Sequence, residues 1–255
     1  MKTTLIYDGS FEGFLSSVFH VYEYNLDDVS IIKKENALVS LFGTEKVIDS
    51  DSHRAKRVWN GLSKKISTSG KRKLYKAFLS EILGIEDSML HYIRYALSSS
   101  ENVERDFSNR HILEIEKTVK KVNREKHRMD AFVRFRLTTD GIYFATIAPD
   151  FNVLPLNATH FKKRYADQNW LIYDLKRKYG IYYDLKNVKT VQLEISEAIN
   201  TQKEAPNFFT LEEIQFQKLW GNYFKNSNIA SRKNMRLHIK HIPKRYWKYL
   251  TEKNF

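Results

Sequence analysis

The hydrophobic period of this chain changes near residue 126, from the spacing of a helix to that of a strand. Before the change, Ala55, Trp59 and Leu62 recur on one helical face, whereas Val133 and Phe135 alternate with arginines after it. Buried positions recur every 3.6 residues in helices and every second residue in strands. The sequence therefore predicts an α+β fold with a central antiparallel sheet of about five strands, a helix crossing it, an all-helical insert and C-terminal helices.

The predicted sheet consists of two hairpins around a short helix, followed by one more strand. The dipeptide Asp140-Gly141 favours a tight turn in the first hairpin, and the basic segment KRKYG forms the loop of the second. The elements expected here are strands at 131–137 and 142–148, a helix at 155–167, and strands at 170–175, 180–184 and 188–195.

The rest of the chain is divided by its patterns into three further segments. Short strands are expected at 3–7, 29–32 and 37–42, with a helix after the first. Residues 71–98 fit a DNA-reading helix–turn–helix or ordinary antiparallel helix packing. The segments predicted are a small α+β unit at 1–48, a helical region of about four helices at 49–125, the sheet with its helix at 126–200 and a basic helical region at 201–255. They form separate units or one compact domain.

The C-terminal helices have their own apolar pattern and a helix-start signal. Thr210 and Glu213 are spaced as a capping box, and Pro243 fits the first position of a last helix. The core face expected for the helix after Thr210 is Leu211, Ile214, Leu219, Trp220, Tyr223 and Phe224.

The charge balance favours a polyanionic partner. The 255 residues include 43 Lys and Arg against 30 Asp and Glu, which gives a formal net charge of +13. Such an excess favours nucleic acid first and an anionic membrane surface second, although many soluble proteins are basic without binding DNA. The absence of cysteine excludes disulfides, thiolate catalysis and iron–sulfur ligation. Without a signal segment or a long apolar run, we expect a soluble cytoplasmic protein.

Three basic runs are candidates for nucleic-acid binding, either on a shared groove or on separate solvated faces. The first run lies within residues 117–128, the second at residues 162–164 and 176–178, and the third in the tail from residue 232. In the tail, Tyr246 or Trp247 is a candidate for base stacking or for the core. The predicted nucleic-acid-binding residues are Arg124, Lys126, Arg128, Arg134, Lys162, Lys163, Arg164, Arg232, Lys233, Arg236, Lys244, Arg245 and Trp247. Neighbouring candidates are Lys117, Lys120, Lys121, Lys176, Arg177, Lys178, His238, Lys240, His241 and Lys248.

Catalytic candidates are fewer. Asp150, His160, Asp167 and Asp174 are close in sequence, and carboxylates beside an imidazole perform acid–base chemistry or hold a metal ion. Structural roles are the alternative: Asp150 caps a turn, Asp167 caps a helix or pairs with Arg164, and Asp174 pairs across its hairpin. No glycine-rich phosphate loop, zinc signature or nucleophile elbow is present, and we expect neither a cofactor nor a bound metal.

Long stretches of the chain resemble a known family. They are the opening YDGSFEGFLSSVF, the central EKHRMDAFVRF and DGIYFATIAPDFNVLPLNATHFKKRYADQNWLIYDLKRKYGIYYD, and the closing FQKLWGNYFKNSNIASRKN and HIPKRYWKYL. Together they resemble a bacterial family of DNA-metabolism or DNA-repair proteins that is called domain of unknown function 4130. The resemblance covers nearly the whole chain.

The resemblance implies an association with DNA repair or modification. Members of the family are linked to a radical S-adenosylmethionine protein, and some are fused to a uracil-DNA glycosylase-like domain. Any iron–sulfur chemistry would belong to that partner, because this chain has no cysteine. The positions that the resemblance marks as a shared site are Arg128, Phe132, Arg134, Pro149, Asp150, His160, Phe161, Arg164, Asp167, Trp170, Tyr173, Asp174 and Tyr183.

Three functions are consistent with the sequence. The first is a DNA-binding accessory protein of a bacterial repair or modification pathway, which acts with a partner enzyme. The second is a DNA-processing enzyme, a glycosylase or nuclease that uses Asp150, Asp167 and His160. The third is a protein-interaction scaffold whose aromatic face docks the radical enzyme.

Overall fold

The computed structural model describes residues 2–37, 43–193, 208–227, 234–250 and 253, without the side chains of 221 and 223–227. The chain forms two compact units, Met1–Asn123 and Arg124–Phe255, and the division falls within one helix. The α+β fold class is confirmed. Independent folding of the four predicted segments stays a prediction.

The first unit contains a small parallel sheet and several helices. In chain order its elements are β1 (Thr3–Tyr7), α1 (Phe11–Glu23), β2 (Val29–Lys33), β3 (Thr44–Val47), α2 (Ser52–Leu62), α3 (Thr68–Phe78), α4 (Ile85–Ser98) and the start of α5 (Arg110–Phe132). The strand order is β2-β1-β3, with both pairs parallel. The predicted helical region is confirmed, whereas β3 was not predicted and residues 38–42 of the expected third strand lie outside the described residues.

The second unit contains the end of α5 and a five-stranded sheet. In chain order its elements are β4 (Arg136–Leu137), β5 (Tyr143–Ile147), α6 (Leu154–Arg164), β6 (Trp170–Asp174), β7 (Tyr179–Tyr183), β8 (Val188–Val191), α7 (Leu211–Ser227), α8 (Met235–His241) and a 3₁₀ helix (Lys244–Tyr249). The strand order is β4-β5-β6-β7-β8. Residues 194–207, which include the end of the predicted last strand, lie outside the described residues.

The sheet is mixed and not antiparallel as expected, because β5 and β6 are parallel. α6 connects them as a crossover, since parallel strands cannot be joined by a tight hairpin. β6 is central and almost fully buried. Phe161 of α6 packs near Trp170 with a centroid distance of 6.1 Å, and Phe144, Tyr173 and Phe209 form a second apolar cluster.

The first predicted strand is wrong over residues 131–135, because α5 continues to Phe132 and β4 contains only Arg136 and Leu137. Val122, Glu125 and Met129 are buried at helical spacing. The apparent alternation of Val133 and Phe135 is therefore the end of a helical face followed by a short extended segment.

The expected core face of α7 is wrong for three of its residues, since Leu211, Leu219 and Trp220 are exposed. Phe209, just before the helix, packs against the sheet in their place. The side chains of Tyr223 and Phe224 lie outside the described residues. In the capping box, the Glu213 amide donates to Thr210 Oγ1 at 3.1 Å, but the Glu213 carboxylate accepts from the Leu137 amide instead of capping Thr210.

The last helical turn, Lys244–Tyr249, follows Pro243, which precedes it instead of occupying its first position. Tyr246 and Leu250 are buried, so they anchor this segment. In the part of the chain that the structure describes, no helix is long and apolar enough to cross a membrane.

Candidate nucleic-acid interface

In the part of the chain that the structure describes, four ion pairs of the second unit lie at one edge of its sheet. Because β5 and β6 are parallel, their carboxyl ends meet at this edge, where Ile147 lies opposite Asp174. The loop after β5 and the turn after β6 are joined there by α5 and the 3₁₀ helix. We call this the Asp150 edge; its members are Arg124, Glu125, Arg128, Asp150, Asp174, Lys176, Arg177, Lys178, Lys244, Arg245 and Tyr246.

Glu125 is the central acid of the Asp150 edge, and its side chain is only 2% exposed. Its carboxylate accepts from Arg245 Nη2 at 2.8 Å, from the Tyr246 hydroxyl at 2.5 Å and from the Asp150 amide at 3.0 Å. Arg128 Nη1 lies 3.6 Å from the same carboxylate. Burial and the hydrogen bond to Glu125 raise the pKa of Tyr246. Glu125 therefore fastens the 3₁₀ helix and the loop after β5 to α5.

Asp174 organises the turn after β6. It is fully buried, and burial raises its pKa while Arg177 opposes that shift. Arg177 Nη1 pairs with Asp174 Oδ2 at 2.9 Å, and the amide of Lys176 donates to Asp174 Oδ1 at 2.9 Å. Asp174 therefore has a structural role, although its ion pair is with the turn and not across the hairpin.

Asp150 is the most accessible acid of this edge. Its side chain is 49% exposed, and Oδ2 lies 2.7 Å from Arg245 Nη1. Its main-chain carbonyl accepts from Arg177 Nη2 at 3.1 Å and from Lys176 Nζ at 3.4 Å. The residue before α6 is Val153, which makes no side-chain cap, so Asp150 does not cap that helix.

The structure does not bring the four catalytic candidates together. Asp150 and Asp174 share an edge, but Asp167 precedes β6 and lies at the opposite end of that strand. Asp167 is exposed, and no hydrogen bond or ion pair reaches it from the described residues. His160 lies within α6, where its ring packs on Phe161 and its buried Nε2 has no hydrogen-bond partner among the described residues. The described residues contain no group of three His, Asp or Glu side chains that could hold a metal ion.

The predicted nucleic-acid-binding residues divide between two edges. Arg124, Arg128, Lys244 and Arg245 belong to the Asp150 edge. The group at 162–164 ends α6 at the opposite edge, where Lys162 Nζ donates to the Lys186 carbonyl at 2.6 Å. Within the second unit, the predicted basic runs therefore do not share one groove.

Several other residues that were predicted to bind nucleic acid make contacts within the protein. Lys126 pairs with Asp130, and Arg134 donates to the carbonyl of Ala131 at 2.8 Å. Trp247 Nε1 donates to the Ile242 carbonyl at 2.9 Å.

The remaining candidates are exposed or lie in other parts of the chain. Arg236 is exposed on α8, while Arg232 and Lys233 lie outside the described residues. Tyr246 is 1% exposed and belongs to the core, as the alternative interpretation held. In the first unit, Lys117, Lys120 and Lys121 are exposed on α5.

Glu125 is the residue of the candidate site that sequence reasoning missed. It lies three residues after Val122 and four before Met129, both of which are buried on the same face of α5. An acid on an apolar helix face requires a buried partner, and this signal was present in the sequence. Its partners Arg245 and Tyr246 are too distant along the chain for local patterns to identify.

Comparison with known families gives one match. The family model of the domain of unknown function DUF4130 matches residues 84–252, about two thirds of the chain. The matched range includes the whole Asp150 edge but not the opening YDGSFEGFLSSVF. No curated protein matches the chain.

Proposed function

The chain belongs to the DUF4130 family, and from that premise we propose that it is a DNA-binding accessory protein of a repair or modification pathway. The Asp150 edge is its phosphate-binding surface. The observation that carries the proposal is the separation of charge at this edge, where two of its three acids are buried and most of its cations are exposed.

The exposed cations favour a polyanion. Arg124, Lys178 and Lys244 are exposed, and no carboxylate of the described residues pairs with their side chains. Lys176 is also exposed, and among the described residues its side chain binds only the main-chain carbonyl of Asp150. Cations without a carboxylate partner release counterions on binding phosphates, which gives affinity without base specificity.

The two buried acids position arginines of this surface and do not pair with its exposed lysines. Glu125 and Asp174 hold Arg245 and Arg177 through ion pairs of 2.8 and 2.9 Å. A guanidinium that is fixed before binding loses less conformational freedom when it contacts a phosphate. The edge thus combines positioned arginines with exposed lysines.

The accessory role rests on the family resemblance, which links such proteins to a radical S-adenosylmethionine enzyme. In this proposal the partner enzyme performs the chemistry and this chain holds the DNA. Co-purification of the two proteins tests the association. Complexes that form only when DNA is present would support an accessory function on DNA.

Salt-dependent DNA binding tests the proposed surface. The double variant Lys178→Ala/Lys244→Ala should bind a labelled oligonucleotide about tenfold more weakly, with a salt slope reduced by about 2. Lys163→Ala/Lys186→Ala is the matched control, because both lysines are exposed at the opposite edge. If only the control variant lost DNA binding, the interface would lie at the opposite edge of the sheet. If the parent protein did not bind DNA at low salt, the proposed DNA-binding function would be contradicted.

A DNA-processing enzyme is the second candidate, favoured by the half-exposed Asp150 beside Arg245. Incubation with uracil-containing and lesion-containing duplexes, with and without magnesium or manganese, tests it. If Asp150→Asn abolished product formation while binding stayed intact, the enzyme function would replace the accessory one.

A protein-interaction scaffold is the third candidate. Leu211, Phe216 and Leu219 of α7 are 75%, 64% and 62% exposed, and exposed apolar side chains on one helix favour a protein contact. Association with a partner enzyme that survives high salt and is lost in Phe216→Ser would support this function.

A further inference from the structure

We infer that Arg245 carries a subsite for one nucleic-acid phosphate and that the Asp150 carboxylate occupies this subsite in the free protein. Asp150 is then an internal competitor for DNA and not a catalytic acid. The inference rests on the proposed function, which it deepens by assigning one phosphate contact and its regulation.

Arg245 has the geometry of an anion receptor. Its Nη2 is held by the buried Glu125 at 2.8 Å and also contacts the Tyr246 hydroxyl. The side chain is nevertheless 42% exposed, and Nη1 binds Asp150 Oδ2 at 2.7 Å. Because Glu125 holds Nη2 inside the protein, Nη1 is the nitrogen that can bind an anion at the surface.

The Asp150 carboxylate is free to leave without moving its loop. The main chain of Asp150 is anchored separately, since its amide donates to Glu125 at 3.0 Å and its carbonyl accepts from Arg177 at 3.1 Å. The side chain itself is 49% exposed, and exposed ion pairs of this kind contribute little to stability. Rotation of one side chain is therefore enough to vacate the subsite.

A phosphate would gain more at this position than the carboxylate does. A hydrogen bond from Arg245 Nη1 to a phosphate is charge-assisted, and Lys176 Nζ already lies 3.4 Å from the Asp150 carbonyl, beside the subsite, as a second cation for the phosphate. The incoming phosphodiester replaces one negative charge by another, so the buried Glu125 and its partners are not disturbed. Displacement of Asp150 also explains why an exposed acid lies among the exposed cations of this edge.

The competitor and catalytic interpretations predict opposite effects of one substitution. If Asp150 competes with phosphate, Asp150→Asn removes the competitor and DNA binding becomes tighter. If Asp150 is a catalytic acid, the same variant binds DNA unchanged and loses activity.

Fluorescence anisotropy with a labelled oligonucleotide, measured over a range of salt concentrations, tests the inference. We expect Asp150→Asn to bind about fivefold more tightly than the parent protein, with a salt slope steeper by about 0.9. Asp167→Asn is the control, because it removes the same charge at the opposite edge, and it should bind as the parent does. In the Asp150→Asn background, Arg245→Lys should abolish the gain, since the single nitrogen of lysine cannot hold Glu125 and present a second nitrogen to the phosphate.

Equal or weaker binding by Asp150→Asn, in a protein whose parent binds DNA, would overturn the inference and leave the proposed function standing. Thermal melting with inorganic phosphate separates the remaining outcomes and shows that each variant is folded. If no DNA binds but phosphate stabilises Asp150→Asn more than the parent, the subsite stands and the proposed function fails. If phosphate also makes no difference, both are overturned.

Discussion

The two units bury carboxylates in different ways. In the first unit, Glu86 is 5% exposed and accepts a hydrogen bond from the buried Tyr7 hydroxyl at 2.9 Å. In the second unit, the equally buried Glu125 is bound by a tyrosine and also by Arg245. The first acid is held by a neutral group, whereas the second holds a cation that reaches the surface.

The two acids differ in whether the group that they bind stays inside the protein or reaches its surface. Burial raises the pKa of Glu86, and its hydrogen bond comes from the neutral Tyr7 hydroxyl. The ion pair of Glu125 keeps a positive group positioned at an exposed edge. In the proposed function, the arginine partner of Glu125 faces DNA, whereas the phenol partner of Glu86 stays in the core.

The largest effect should come from the same substitution in both units. Glu125→Gln removes the charge opposite Arg245, and we expect the free energy of unfolding to fall by about 3 kcal/mol, the low end for a buried pair because Arg245 is partly exposed. Glu86→Gln keeps an acceptor for Tyr7 and should cost less than about 1 kcal/mol. Urea unfolding with hydrogen exchange measures both. Equal losses would remove the distinction between the two units.

Removal of the tyrosine hydroxyl should lower the free energy of unfolding more in the first unit than in the second, the reverse of the order expected for the two glutamates. Tyr7→Phe withdraws a hydrogen bond from the buried Glu86 and should cost about 2 kcal/mol. Tyr246→Phe should cost about 1 kcal/mol, because Arg245 and the Asp150 amide still bind Glu125. Chemical denaturation of the two variants side by side tests the order. A larger loss in Tyr246→Phe would mean that the phenol, and not the arginine, stabilises the second unit's acid.

A third carboxylate, that of Asp8, lies beside Gly13 in the first unit and extends the comparison. A Cβ at this position would lie 2.3 Å from Asp8 Oδ1 and 2.7 Å from Ser50 Oγ, two atoms of a hydrogen-bonded cluster. We expect Gly13→Ala to lower the free energy of unfolding by about 1–2 kcal/mol. Gly61→Ala is the control, because no atom lies within 4 Å of its Cβ and alanine should stabilise α2 by about 0.5–1 kcal/mol. Stabilisation by both would show that the cluster adjusts freely.

The smallest effect concerns the histidines of the first unit. Burial, followed by the charges of His91 and Arg110, lowers the pKa of His111. The unfolded chain then binds this proton more readily, so stability decreases as the pH falls below the ordinary value of about 6.5. Melting temperatures between pH 5 and 8 should show a shallower acid slope in His111→Gln. The exposed His53→Gln is the control, and an unchanged slope in both variants would contradict the assignment.

Local patterns predicted the elements of this fold better than their arrangement. The turn at Asp140-Gly141, with Gly141 at φ +79°, and the strands β6 and β7 follow from residues that are neighbours in sequence. The parallel pairing of β5 with β6 does not, because alternation predicts a strand but not its direction.

The candidate site was predicted in part for the same reason. Charge identified Asp150, Arg177 and Arg245, but their grouping depends on Glu125, whose partners come from distant segments. Lys162 and Arg164 were grouped with the site by their closeness in sequence. α6 carries them instead to the other end of the sheet.

The contact between Glu125 and Arg245 joins positions 120 residues apart in sequence. The entropy lost in closing such a loop exceeds that of the sheet's hairpins, so we expect this contact to form after them. The docking of the 3₁₀ helix on α5 is then expected to come late in the folding of the second unit. Contacts absent from the folding transition state act mainly on the unfolding rate, so a phosphate bound at this edge would prolong the lifetime of the folded unit without speeding its formation.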